Sequence, residues 1–161
     1  MRKSKVLFTS TIIGICFLPI LFKRKYRKQS LIVFVFTGLA NTWISNHLIT
    51  KGYFSFPVRY WPKIFKSSVV YDYLIGPLIA VAHCQTSLYS NAKGIVGQAI
   101  LYSIFQALVE YWVLVKTHLI KYNNKKWSIW HSFVGLILFK VLLIRGAWTL
   151  VNRGIIAIEE K

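Results

Sequence analysis

Apolar residues fill five long stretches, Val6 to Phe22, Leu31 to Thr50, Ser67 to Tyr89, Ile95 to Leu119 and Ser128 to Leu150, and polar residues gather between them. Each stretch has about the length that a helix needs to cross the hydrocarbon core of a bilayer, roughly 20 residues at 1.5 Å per residue. Lipid leaves backbone groups unsatisfied in anything but a helix or a closed barrel, and the apolar-polar alternation of barrel strands is absent. The pattern therefore predicts an all-α membrane protein, a single bundle of about five transmembrane helices with short loops over residues 1–161. Pro19 and Pro77 lie inside stretches, and the Gly76-Pro77 pair predicts a bend in the third helix.

Composition supports the bilayer as solvent. Hydrophobic residues make up 55% and charged residues only 16% of the 161, whereas soluble domains carry about 25% charge. The net charge of +17 would suggest nucleic acid in a soluble protein. Here Lys and Arg flank the apolar stretches, without a basic helical face or an RNA-binding aromatic motif, so the expected partner is a bilayer with anionic headgroups and not nucleic acid. Cys16 and Cys84 fall inside apolar stretches, form no CxxC pair or metal spacing, and read as small buried hydrophobes. Arg2, Lys3 and Lys5 before Val6 imitate a signal peptide, but the run exits into Lys23-Arg24-Lys25, so a retained first helix is expected.

The connector Lys51 to Lys66 carries Tyr53, Phe54, Phe56, Tyr60 and Trp61, and the fourth connector carries Tyr122 and Trp127. Such aromatics belong at headgroup level, and odd-to-even alternation puts both connectors on one side of the membrane. Total Lys and Arg lean toward a cytoplasmic location for this aromatic side; the densest basic cluster, Lys23 to Lys28 on the opposite side, argues the reverse. His47-Leu48-Ile49 followed by Lys51 and Tyr53 echoes His118-Leu119-Ile120-Lys121-Tyr122. A duplicated hairpin would produce this, although chance similarity is the plainer reading.

Charges inside the stretches cost about 2.5–3.5 kcal/mol each on insertion scales and mark where function is sought. They are Asp72, Glu110, Lys140 and Arg145 at one end. On the fourth helix Gln98, Tyr102, Gln106 and Glu110 recur every fourth residue and share a face. On the third, Asp72, Gly76, His83 and Thr86 share one by the same arithmetic, and Thr37, Asn41 and Ser45 form a weaker stripe on the second. Depth makes Glu110 and Lys140 a plausible ion pair, and places Asp72, His118, His131 and His47 near the aromatic side, where Asp72 and His131 can meet. The His and acid residues lack HxxxH or HxxE spacing, so neither a metal site nor a cofactor is expected.

From Tyr53 onward the chain resembles a family of small five-helix membrane proteins from spore-forming Gram-positive bacteria. The likeness rests on Arg59 near Pro62, the Leu-Ile-Gly-Pro of Leu74 to Pro77, the Glu110-Tyr111 pair, and Leu119-Ile120-Lys121-Tyr122 with Asn124, Trp127, Trp130 and Ser132. The family's motifs have no assigned chemistry, so the resemblance implies a fold and no activity. It also implies a cytoplasmic connector after the first helix, in agreement with the Lys23 to Lys28 cluster. The expected location is then the cell membrane, multi-pass, with the N-terminus and aromatic side outside and the C-terminus cytoplasmic.

The expected role is that of a small non-enzymatic membrane protein acting through lipids or partner proteins, with a second copy of itself or another membrane protein as partner. Its candidate binding residues are Arg59, Asp72, His83, Gln98, Gln106, Glu110, His118, His131 and Lys140. Two alternatives compete: a membrane-embedded enzyme or metal protein centred on Glu110, and an oligomeric small transporter with Gln98, Gln106, Glu110 and Lys140 along its path.

Overall fold

The computed structural model describes residues 3–22 and 26–159, so Lys23, Arg24 and Lys25 of the basic cluster lie outside the described residues. Five helices make up the described chain: α1 (Lys3–Leu21), α2 (Arg27–Thr50), α3 (69–86), α4 (Ala92–Lys116) and α5 (129–159). Three of them, Arg27–Thr50, Ala92–Lys116 and the Ile129–Val151 part of α5, are long and apolar enough to cross a membrane, and Lys5–Leu21 is a shorter apolar helix. Two short strands, β1 (Phe54–Ser55) and β2 (Lys121–Tyr122), pair antiparallel with Phe54 opposite Tyr122, joining the two aromatic connectors.

Local chemistry sets the helix ends. At the end of α2, Gly52 adopts φ +71°, a conformation that costs glycine little. Its N–H reaches Ile49 O at 2.9 Å and that of Tyr53 reaches Leu48 O at 3.1 Å, which is the bonding of a Schellman motif and aims the chain back over the bundle. Asn91 caps α4 by accepting the Gly94 N–H at 2.8 Å. Ser128 caps α5 in a reciprocal box with His131, whose Nδ1 accepts the Ser128 N–H at 3.2 Å. α4 ends at Lys116, earlier than the predicted Leu119, and His118 turns the chain with φ +53°.

The third helix is the largest departure from the predicted spans. It covers 69–86 and not 67–89, and it opens with a π turn at Tyr71–Ile75. There the Gly76 N–H bonds Tyr71 O, five residues back, in the step just before Pro77, which has no N–H to give. The expected irregularity at Gly76-Pro77 therefore takes the form of an inserted residue. A second π turn, Phe139–Ile144, interrupts α5, where the Arg145 N–H bonds Lys140 O.

α2 and α3 lie close together because small residues face the contact. A Cβ on Gly76 would stand 2.4 Å from Asn41 Nδ2, and one on Gly38 would stand 3.1 Å from the Tyr73 ring. Close backbone approach of this kind substitutes for the hydrophobic drive that helices lack in lipid. Below this contact a core of Val33, Val81, Cys84, Ile144 and Trp148 joins α2, α3 and α5. At the other end Phe56, Ile120 and Tyr122 build a separate apolar cap under the paired strands. Cys84 is buried as expected, whereas Cys16 is exposed on α1.

Candidate functional site

The polar stripe of α4, Gln98, Tyr102, Gln106 and Glu110, bonds outside its own helix at every position. Gln98 Nε2 donates to Ser90 Oγ at 3.0 Å. The Tyr102 hydroxyl lies 3.4 Å from Thr86 Oγ1, and its ring meets the His83 ring edge-on. Gln106 Nε2 donates to the Tyr71 hydroxyl, while Gln106 Oε1 accepts from Lys140 Nζ at 2.8 Å. Lys140 also donates to Ser103 Oγ at 3.2 Å. Tyr71 and Lys140 both sit within π turns, so one glutamine joins the two irregular segments.

One turn further along, Glu110 Oε1 accepts from the Tyr122 hydroxyl and from Ser132 Oγ at 3.1 Å. Ser132 in turn lies 2.9 Å from the Tyr122 hydroxyl and accepts from Trp127 Nε1 at 2.9 Å. The donors run from the cap inward and end on one carboxylate oxygen. Oε2 accepts no hydrogen bond from any described residue. Burial, aided by the nearby Glu110 carboxylate, pushes the Tyr122 phenol well above its ordinary 10.0, because an anion there would lose water and face another negative charge.

The expected Glu110–Lys140 pair does not form. Lys140 is held by Gln106 and Ser103, and Glu110 by Tyr122 and Ser132. The two side chains lie at different depths: Lys140 reaches α4 at Ser103 and Gln106, about one turn short of Glu110. Asp72 and His131 do not meet either: Asp72 Oδ1 accepts from Ser45 Oγ at 3.2 Å on α2, while His131 bonds Ser128 and stacks on Trp127.

Asp72 and His83 do not share a face as the regular spacing predicted. Asp72 turns toward Ser45 on α2, and His83 Nε2 lies 3.4 Å from Ile95 O on α4. The intervening π turn rotates one against the other. Asn41 and Ser45 both bond Asp72, through its backbone oxygen and its carboxylate.

The candidate residues therefore divide. Gln106, Glu110 and Lys140 come together. His83 and Gln98 lie nearer the opposite end of the bundle, Asp72 serves the α2 contact, and His118 is exposed in its turn. Arg59 binds the connector to itself, donating to Phe56 O, to Phe65 O at 2.7 Å and to Pro62 O at 3.3 Å. Among the described residues no three His, Cys, Asp or Glu side chains can hold a metal ion. The sequence reading missed Tyr71, Ser103, Tyr122 and Ser132 as members of the site. In the sequence Tyr122 reads as an interfacial anchor, and a lone tyrosine or serine in an apolar helix carries no periodic signal.

Two apolar clefts flank this cluster. One, of about 330 Å³, lies between α1, α3 and α4 and is walled by Leu7, Ile13, Ile79 and Val109. The other, of about 430 Å³, lies between α2 and α5 and is walled by Ile44, Leu48, Leu136 and Phe139. Phe56, Tyr71, Glu110 and Ile120 line both. Each volume lies near the lower end of known ligand pockets, about 300–1,000 Å³. Exposed apolar residues stand at the mouths, Ile13 and Phe105 at one and Leu138 and Leu142 at the other. The arrangement can take an apolar chain from the side and present a carboxylate to its polar end. No family model, curated protein or solved structure matches the chain.

Proposed function

We propose that the chain is a multi-pass cell-membrane protein, crossing the bilayer with all five helices, and that it works by holding a lipid molecule without chemically changing it. One observation carries the reading: two laterally open apolar clefts converge on Glu110, whose Oε2 is left without a protein partner. Apolar walls with a few convergent polar groups are the usual form of a small-molecule site. A carboxylate at that depth is costly unless something offsets it. In this reading the aromatic cap and the N-terminus face outward, and the basic connector that follows α1 faces the cytoplasm.

Native mass spectrometry of protein released from nanodiscs made with total cell-membrane lipid, which contains single-chain as well as two-chain amphiphiles, tests the reading. About one lipid per chain should survive release, following ordinary mass action for a bound ligand. Gly135 lines the α2–α5 cleft, and a Cβ there meets nothing within 4 Å, so Gly135→Trp can fill the cleft without a clash at its base. That variant should lose the lipid, whereas Gly97→Trp, also on open space but away from both clefts, should keep it. Equal lipid retention by both variants, or none in the parent, would overturn the proposal.

A further inference from the structure

We infer that the α2–α5 cleft selects a single-chain amphiphile with an ammonium headgroup, which enters from the bilayer and sets its cation between Glu110 and the aromatic cap. The inference rests on the lipid-holding reading and names its ligand. Its ground is the composition of the cleft's polar end. Besides Glu110, this end is lined by Phe54, Phe56, Tyr71, Trp127 and His131. The rings pack in a connected set, with Phe54 5.7 Å from Phe56 and 5.8 Å from Trp127, and Trp127 stacked 5.4 Å from His131. Several aromatic faces around a carboxylate form a surface that attracts a desolvated cation through the ring quadrupoles.

Among the described residues no Lys or Arg lines this cleft. Lys140, the nearest interior ammonium, is committed to Gln106 and Ser103, and Glu110 takes both its bonds on Oε1 from uncharged donors. A ligand ammonium opposite Oε2 would complete the carboxylate's partners, and a negative or merely apolar headgroup would not. The tail has a defined course, past Leu136 and Phe139 to the exposed Leu138 and Leu142. A cleft of about 430 Å³ suits one chain, which separates this ligand from an ordinary two-chain lipid.

The experiment uses the full-length protein in nanodiscs, with dodecyltrimethylammonium, dodecanol, dodecanoate and tetramethylammonium as probes in calorimetric titrations. Dodecyltrimethylammonium should bind about tenfold or more tighter than dodecanol, the ratio that a cation–π contact of ordinary strength provides. Dodecanoate should bind more weakly than dodecanol, and tetramethylammonium, lacking a chain, more weakly than dodecyltrimethylammonium. Glu110→Gln should erase the preference for ammonium over alcohol while keeping dodecanol binding. Phe54→Leu, which preserves apolar volume and touches no hydrogen bond of the cluster, should reduce the same preference, so the inference stays testable even if Glu110→Gln fails to fold. Equal binding of the three dodecyl probes would defeat the headgroup inference and leave the lipid-holding reading standing. Binding by none of them would defeat both. Tetramethylammonium as tight as the long-chain probe would replace the bilayer amphiphile with a small soluble cation and overturn the inference.

Discussion

Gln106 ties both π turns to α4, and its replacement by leucine measures what that tie contributes. Gln106→Leu removes the acceptor that Lys140 Nζ reaches at 2.8 Å and the donor to Tyr71, leaving the ammonium with Ser103 Oγ at 3.2 Å. Two average polar bonds between membrane helices would account for only about 1 kcal/mol. Lys140 is only 3% exposed, however, and depriving a buried charge of its partner costs about 3–5 kcal/mol. The charge outweighs the bond count, so a loss near 3 kcal/mol is expected. Lys140→Met alone leaves Gln106 Oε1 unsatisfied, at about 1–3 kcal/mol. In the double variant neither orphan remains, and the combined loss should fall short of the sum by at least about 1 kcal/mol. Unfolding by dodecyl sulfate titration in mixed micelles gives the four free energies. A control cycle of Lys140→Met with Gln98→Leu, whose partner is Ser90, should sum to within about 0.5 kcal/mol. If Gln106 and Lys140 are equally additive, the bridge between the π turns has no energetic meaning.

Three further outcomes are expected. Gly76→Ala should destabilise by about 1–3 kcal/mol, since its Cβ would meet Asn41 Nδ2 at 2.4 Å and Tyr71 O at 3.0 Å, while Gly97→Ala should be neutral or stabilising because nothing lies within 4 Å; a neutral Gly76→Ala in the same micelle unfolding assay would contradict the close packing. The raised Tyr122 phenol keeps its proton in the folded state while the unfolded chain loses it above about pH 10, so the folded form holds more protons and stability should fall as pH rises past 10. Tyr122→Phe should flatten that fall, and identical pH profiles for parent and variant would refute the assignment. For orientation, single cysteines Ser55→Cys and Ser90→Cys, without Cys16 and Cys84, should react with an impermeant reagent in whole cells at position 55 only; labelling at 90 alone would invert the topology.

The existence and order of the helices were legible because each is a long apolar run closed by charge or by Gly, Asn or Ser. The α4 stripe was legible for the same reason. Gln98, Tyr102, Gln106 and Glu110 lie on regular helix, where four residues make slightly more than one turn, and all four reach partners outside α4. The arithmetic failed at the first π turn, where Asp72 and His83 share a face only if the count runs straight across Tyr71–Ile75. Lys140 and Glu110 miss each other by depth instead, since Lys140 stops at Gln106, about one turn short of Glu110. An extra residue per π turn rotates everything beyond it, and only the Gly76-Pro77 pair announced such an irregularity. The pairing of β1 with β2 joins the segments that carry the His-Leu-Ile echo, but two-residue strands are too short for alternation to reveal them.

The π turns and the polar cluster are better understood together than apart. A π turn inserts a residue into the helix, and natural helices frequently carry such turns at functional sites. Irregular backbone at membrane depth is tolerated only where protein or a cavity covers it. Here each π turn presents one polar side chain, Tyr71 or Lys140, to the same glutamine. Stability alone gives no reason for this, since apolar residues on uninterrupted helices would pack the same space without a buried ammonium. What the arrangement achieves is positional. It fixes Tyr71 at the divide between the two clefts and holds the interior lysine away from Glu110. A carboxylate without a cation beside an aromatic wall is the state that a Lys140–Glu110 ion pair would have abolished, and Gln106 and Ser103 are the groups that hold Lys140 short of it.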